Sequence, residues 1–337
     1  MNTLPVFFVV GSPRSGTTLL RNLLRSHPNL AVAPESHFVP ILYRAIGDPT
    51  DERSRRRLIT RVLNTHWVRS WGVPMRLSDF DGCTTFRDII ERLYRVAAGE
   101  KRNCRQGDKT PGYAREIPTL DRIFPEAQFI HIIRDGRDVA LSLSHVWFGH
   151  RHAYTAACYW RDHVLEARRD GAPLGPGRYL EVRYETLLRE TEQTMRTVCE
   201  FLGEPFDPRV LVPAESRRMR SRRPTSRAPK MISHTEIVPV NHDKWRTLMS
   251  REDLEIFETA AGDLLAELGY ERVTGGRRIG RFRRAYWVGS EFVHRVAGYA
   301  SRRRKGVWIP SEAALLWSRL RARLGAPAAE GSVARES

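Results

Sequence analysis

Cysteine is scarce in this chain of 337 residues, and its four copies (Cys83, Cys104, Cys158 and Cys199) are scattered, with no C-x-x-C pair. That spacing argues against a disulfide framework and against a thiolate metal site, and it fits reduced, mostly buried thiols. No cluster of histidine and cysteine has ligand spacing either, so no metal is expected. Long apolar runs are also missing: mean hydropathy is −0.46, and no stretch could span a bilayer. The start, Met1-Asn2-Thr3-Leu4-Pro5, lacks the basic residues and small-residue cleavage site of a secretory signal. A cytoplasmic protein is therefore expected. There is no internal repeat. Acidic residues are in deficit, 39 against 56 lysines and arginines, which leaves a net charge of +17 and a pI near 10.4. Such an excess attracts anions without choosing among phosphates, sulfated polymers, nucleic acid and acidic lipid.

With 41% hydrophobic residues the chain can bury a substantial core in one large domain or two small ones. Val6 to Val10 is a short β-rich run ending at Gly11, and Leu19, Leu20, Leu23 and Leu24 then follow a helical period. His27-Pro28-Asn29 ends that helix, and Leu30-Ala31-Val32 is a second strand closed by Pro34. Helices are predicted over 38–46, 53–71, 86–98 and 191–202, with a further one beginning at 138–144. Phe129 to Ile133 and Arg178 to Val182 read as core strands. Strands alternating with helices predict an α/β fold with a central parallel sheet in a three-layer, P-loop-like arrangement. The segment 217–230, rich in Arg, Ser and Pro without an apolar period, reads as a loop. From about Arg277 the chain becomes a basic tail with aromatics, and 325–337 has the composition of a disordered end.

Between the first strand and its helix lies Gly11-Ser12-Pro13-Arg14-Ser15-Gly16-Thr17-Thr18. A glycine-containing turn in that place aims backbone N–H groups and a helix N-terminus at an anion. The nucleoside-triphosphate form of the loop, G-x-x-x-x-G-K-[ST], carries a lysine where this chain has Thr17. A loop whose one basic residue lies earlier suits a smaller charge than a magnesium triphosphate. A second constellation follows Phe129 to Ile133. Arg134 comes first, at a strand end where a magnesium-dependent NTPase would carry an acid, and Ser142 lies two helical turns on.

Together these segments resemble the sulfotransferases that use 3′-phosphoadenosine-5′-phosphosulfate (PAPS) and release 3′-phosphoadenosine-5′-phosphate (PAP). The resemblance covers about residues 5 to 270, and the spacing from Arg14 through His27-Pro28 to Glu35 is similar to the branch with a glutamate base, which includes tyrosylprotein and glycan sulfotransferases. The resemblance assigns Arg14, Ser15, Gly16, Thr17 and Thr18 to the 5′-phosphosulfate, and Arg134 and Ser142 to the 3′-phosphate. It implies that Glu35 is the base that accepts the acceptor's proton, with His37 as the alternative. Lys109, in Gly107-Asp108-Lys109-Thr110-Pro111, matches the lysine that contacts the transferring group, and Arg14 shares that electrostatic work. Tyr184 matches a position near the nucleotide, and Ser233, His234 and 239–245 resemble the region that closes over the cofactor, with Ser233 among its contacts.

The implied organisation is a sulfotransferase domain over 1–275, a basic aromatic helical extension over 276–324, and a disordered tail. The implied partner is a hydroxyl acceptor, a saccharide, glycolipid or peptide tyrosine, and no nucleic acid is expected. Two rivals remain: a P-loop nucleotide kinase, which would need magnesium, and a non-enzymatic polyanion or membrane-surface binder. The basic tail could hold the protein on the inner membrane face; packing of its aromatics on the core is the plainer reading.

Overall fold

The computed structural model describes residues 4–146, 148–214, 237–238 and 241–304. The loop read at 217–230, Ser233, Trp308, Trp317 and the tail at 325–337 lie outside the described residues. The chain runs β1 (Phe7–Gly11), α1 (Thr17–Ser26) and β2 (Leu30–Ala33), then α2 (Val39–Ile46), α3 (Glu52–Leu63), α4 (His66–Ser70) and α5 (Phe86–Ala98). β3 (Arg105–Lys109), α6 (Ile117–Ile123), β4 (Gln128–Ile133), α7 (Gly136–Ser144) and α8 (Ala153–Gly171) follow. Next come β5 (Tyr179–Arg183), α9 (Tyr184–Arg189), α10 (Thr191–Phe201), α11 (Trp245–Leu248), α12 (Arg251–Glu267) and α13 (Arg281–Arg304).

The five strands form one all-parallel sheet in the order β2-β3-β1-β4-β5. This is the α/β architecture expected from the alternation of strands and helices. β1 is central and wholly buried, which explains its unbroken Phe-Phe-Val-Val run: side chains alternate between two covered faces. Phe8 and Val10 join the side covered by α3, α5 and α6, while Phe7 and Val9 join α1 and α10 on the other. Each fully buried leucine, isoleucine or phenylalanine contributes roughly 1.5–3 kcal/mol, so the two faces hold the sheet rigidly beneath its loops.

Two sequence expectations need correction. The helix read over 53–71 is two helices. Asn64 closes α3, and Thr65 restarts the chain by donating to the Val62 carbonyl (2.8 Å) and accepting from Val68 N (3.3 Å). β3 was not foreseen, because Arg-Gln-Gly-Asp-Lys lacks apolar alternation, yet all five of its residues are buried. Arg105 explains how that is tolerated: its guanidinium donates to the Pro5 carbonyl (2.8 Å), the Leu202 carbonyl and Gln128.

His27 ends α1 as read. Its Nδ1 accepts from Asn29 N (3.1 Å), and its Nε2 bonds the Pro205 carbonyl (2.8 Å). The four cysteines are free thiols, and Cys83 and Cys199 are fully buried. No described helix is long and apolar enough to cross a membrane.

Candidate active site

The loop joining β1 to α1 turns sharply through two left-handed residues, Arg14 (φ 76°) and Gly16 (φ 95°). Gly16 is required for a second reason: a Cβ there would lie 2.2 Å from Cδ2 of Tyr184, the first residue of α9. The tyrosine ring thus closes against the loop backbone. α1 begins at Gly16 with no side chain capping it and no acidic residue in its first turn, so its N–H groups and dipole suit an anion. The hydroxyls of Ser12 and Ser15 are buried and have no hydrogen-bond partner among the described residues.

Arg14 and Arg134 meet on one side of this loop. Arg14 Nε donates to Ser142 Oγ (2.8 Å), tying the loop to α7. Burial, and then the nearby Arg134, hold the Arg14 guanidinium below its ordinary pKa. Arg134 stands at the carboxyl end of β4. It bonds Asp138 Oδ2 (3.2 Å) and the Asn241 carbonyl (2.9 Å), reaches the Arg14 carbonyl at 3.4 Å, and lies 4.5 Å over the Tyr184 ring. Its Nε is buried without a partner among the described residues. Two guanidinium groups held this close, with one acid directly paired to the second, leave a strong positive field at the loop.

Glu35, two residues past β2, faces the loop from the other side. Lys109, the last residue of β3, bonds Glu35 Oε1 and also donates to Thr18 Oγ1 (3.4 Å). His37 Nε2 bonds Glu35 Oε2 at 2.8 Å, and its ring lies 4.2 Å from that of Trp67. Burial opposes the Glu35 charge, but Lys109 and His37 outweigh it and hold the carboxyl far below the usual glutamate range. Lys109 is only 3% exposed; burial lowers its pKa, although Glu35 pulls the other way. His37, the rival base in the sequence reading, is therefore bonded to the carboxylate it competes with.

The Glu35 loop is itself anchored. Trp71 Nε1 donates to the Glu35 carbonyl (3.4 Å). Ser36 N donates to Thr110 Oγ1 (3.0 Å), which donates to Asp108 Oδ1 (2.6 Å), and Tyr94 OH donates to Asp108 Oδ2 (3.0 Å). Ser36 Oγ and Tyr113 OH are 2.6 Å apart.

The structure therefore brings together Arg14, Ser15, Gly16, Thr17, Thr18, Glu35, Lys109, Arg134, Ser142 and Tyr184 around one loop. Sequence reasoning missed their supports. Asn241 donates to Tyr184 OH (2.7 Å), Asp138 Oδ1 accepts from Trp245 N (3.1 Å), and Trp160 Nε1 donates to the Arg134 carbonyl (3.0 Å). No local spacing announces these contacts, although Asn241 lies in the segment that the resemblance had picked out. Among the described residues no group of three or more His, Cys, Asp or Glu side chains could hold a metal ion.

A family model for the sulfotransferases matches residues 5–208, more than half of the chain. The chain belongs to the sulfotransferase family. Among its relatives, the nodulation protein NoeE of Sinorhizobium fredii is 26% identical over 289 residues, covering 79% of this chain and 66% of that protein. Protein-tyrosine sulfotransferase 1 of Danio rerio is 25% identical over 291 residues, covering 82% of this chain and 76% of its own. An uncharacterised Aquifex aeolicus protein is 28% identical over 246 residues; the chain spans 30% of its length. The solved sulfotransferase domain of the Synechococcus PCC 7002 olefin synthase is 28% identical, with a TM-score of 0.53, covering 77% of this chain and 94% of that one. The sulfotransferase domain from the curacin biosynthetic pathway (24% identity, TM-score 0.57, covering 80% and 98%) shares the fold.

Proposed function

We propose that this sulfotransferase moves the sulfuryl group of PAPS to an acceptor hydroxyl, with Glu35 as the base. The observation that carries this reading is Lys109. One buried ammonium touches both the Glu35 carboxylate and Thr18 of the anion loop, so base, cation and loop meet at a single point. Two features fit the co-substrate: the uncapped start of α1 with the Ser12 and Ser15 hydroxyls, buried and without partners among the described residues, for the 5′-phosphosulfate, and Arg134 with Ser142 for the 3′-phosphate. PAPS would supply the activated sulfuryl group; Tyr184 would flank the nucleotide.

In this scheme the acceptor O–H gives its proton to Glu35 as its oxygen bonds to sulfur and the bond to the phosphate oxygen breaks. The leaving oxygen gathers negative charge, which Lys109 and Arg14 offset. Glu35 is ionised at neutral pH, but its bond to Lys109 keeps it a weak base. Negative charge arriving at the loop competes for the same ammonium. Binding of the co-substrate therefore raises the basicity of Glu35 when it is needed. His37 bonds the second carboxylate oxygen and sets its orientation. The acceptor is a sugar or peptide hydroxyl, in keeping with the protein-tyrosine sulfotransferases among the relatives.

Calorimetric titration with PAP in the absence of magnesium tests the reading. We expect micromolar binding, weakened on the order of 100-fold by Arg134→Ala, which removes a buried charge-assisted phosphate contact. A folded wild type that fails to bind, or that binds only with magnesium, would overturn it.

A further inference from the structure

The described part of α13 has two unlike faces. The inner one is docked on the start of α8. Trp287 is 7% exposed, packs with Ile256 and Ile279, and lies 5.6 Å from the Tyr154 ring. Glu291 is buried and accepts from Arg151 N (3.0 Å) and Thr155 Oγ1 (3.3 Å), while Ser290 Oγ bonds His152 Nε2 (2.8 Å). These contacts hold the helix to the body through groups that would be costly to expose or leave unpaired.

The outer face is apolar and open. Phe282, Tyr286, Val288 and Val293 are 81%, 68%, 50% and 67% exposed. Phe282, Tyr286 and Val293 recur at the spacing that puts side chains on one helical stripe, with Gly289 between them, while Val288 lies off that stripe. Among the described tail aromatics Trp287 is buried against the body and Phe292 is half-buried; Tyr286 is mostly exposed, with its ring edge toward His152 (6.5 Å between centroids), and Phe282 is open. Arginines border the stripe. Arg277 and Arg283 are tied to Glu252 (3.2 and 2.8 Å). Arg278 and Arg281 are exposed and have no acidic partner within ion-pair distance among the described residues, whereas Arg284 lies over the Tyr154 ring (5.9 Å) on the docked side.

We propose that this face of α13 lies on an anionic lipid surface. A shallow apolar stripe with aromatics, bordered by unpaired cations, matches the boundary between headgroups and acyl chains, and the net charge of +17 favours approach. A second copy is a poorer occupant, because pairing two such faces would bring like charges, Arg278 and Arg281 of each copy, together. The placement suits the fold. Trp160 lies at the carboxyl end of β4 and Gly171 abuts Tyr179 at the start of β5, so the beginning of α8 projects past the end of the sheet that carries the anion loop. α13 is docked there.

Co-sedimentation of the full chain with vesicles of phosphatidylserine and phosphatidylcholine (3:7), and of phosphatidylcholine alone, tests the proposal. Each arginine near an anionic surface is worth roughly fivefold in affinity, so Arg278 and Arg281 predict roughly 30-fold preference for the anionic vesicles. The triple variant Phe282→Ser, Tyr286→Ser, Val293→Ser should lose at least about tenfold, and unchanged melting and PAP affinity would show that it is folded. The proposal fails if the wild type ignores anionic vesicles, or if the triple variant binds them equally, which would leave only diffuse charge attraction. It also fails if the wild type is a dimer in light scattering and the triple variant a monomer while neither binds vesicles, which would give the face to a second copy.

Discussion

Replacing Lys109 by methionine separates what this cation does for stability from what it does for chemistry. Removing one member of a buried ion pair costs about 3–5 kcal/mol when the other charge is stranded. Here the stranded group is Glu35, whose side chain is 36% exposed and which keeps His37 at 2.8 Å. The two partners also point in opposite directions. Glu35 is favoured by the pair, whereas burial outweighs the pair for Lys109, the member with almost no access to water. Methionine relieves that desolvation, so we expect a net loss of only about 1–2 kcal/mol. The chemical loss should be far larger, on the order of 10²–10³ in rate, as for other groups that offset developing charge. The pH profile gives a second readout. A carboxylate whose folded pKa is depressed stabilises the protein above its unfolded value of about 4.3, and that contribution is lost as pH falls through the folded value. In the wild type Glu35 should therefore produce no acid limb above about pH 4. In the variant, burial is no longer countered by the lysine, and the limb should move up into the measurable range. Initial rates of radiolabelled sulfuryl transfer between about pH 4.5 and 8, with melting temperature and PAP affinity measured alongside, decide the matter. A folded, PAP-binding variant that keeps more than about a tenth of the rate would refute the role given to Lys109, and so would an unmoved acid limb.

Glu35→Gln should lower kcat by about 10²–10⁴ while PAP affinity stays within about threefold; a parallel loss of PAP affinity would make Glu35 a structural anchor instead. Gly16→Ala forces a left-handed residue into the Tyr184 ring and should cost about 2–4 kcal/mol, lowering the melting temperature by roughly 5–10 °C and abolishing PAP binding. Wild-type melting and affinity in that variant would mean that the loop relaxes freely and that the ring contact is unimportant.

Much of this architecture could be read from the chain, for local reasons. β1 and β4 are apolar because both their faces are covered, and α5 matches its expected 86–98 span because Thr85 and Asp88 form a capping box at its start. The loop after β1 and the arginine at the end of β4 are contiguous segments that could be read from their local spacing. What escaped depends on contacts between distant segments. The partnership of Asn241 with Arg134 and Tyr184 joins residues 107 and 57 positions apart. Thr65 breaks a helix that periodicity would have continued, because its hydroxyl serves both sides of the break.

β3 shows why a strand illegible to hydrophobic pattern can be the one on which the site depends. Its glycine is demanded by packing, since a Cβ on Gly107 would lie 2.4 Å from the Phe7 ring. The two residues that follow emerge on opposite faces of the sheet, as the pleat requires. Asp108 goes to the α5 side, where Tyr94 and Thr110 bond it and Thr110 in turn holds Ser36 N. Lys109 goes to the α1 side, where it meets Thr18 and Glu35. Both routes end on the same segment: one fixes its backbone and the other its carboxylate. A slip of one residue in the pairing of Lys109 with Val9 would exchange the two faces, leaving the lysine among Tyr94 and Tyr113 and an acid beside Glu35. Two carboxylates would then share the space beside the loop, and at least one would have to stay protonated. The polar composition that hides β3 from prediction is thus what allows a single strand to set both the position and the charge of the Glu35 carboxylate.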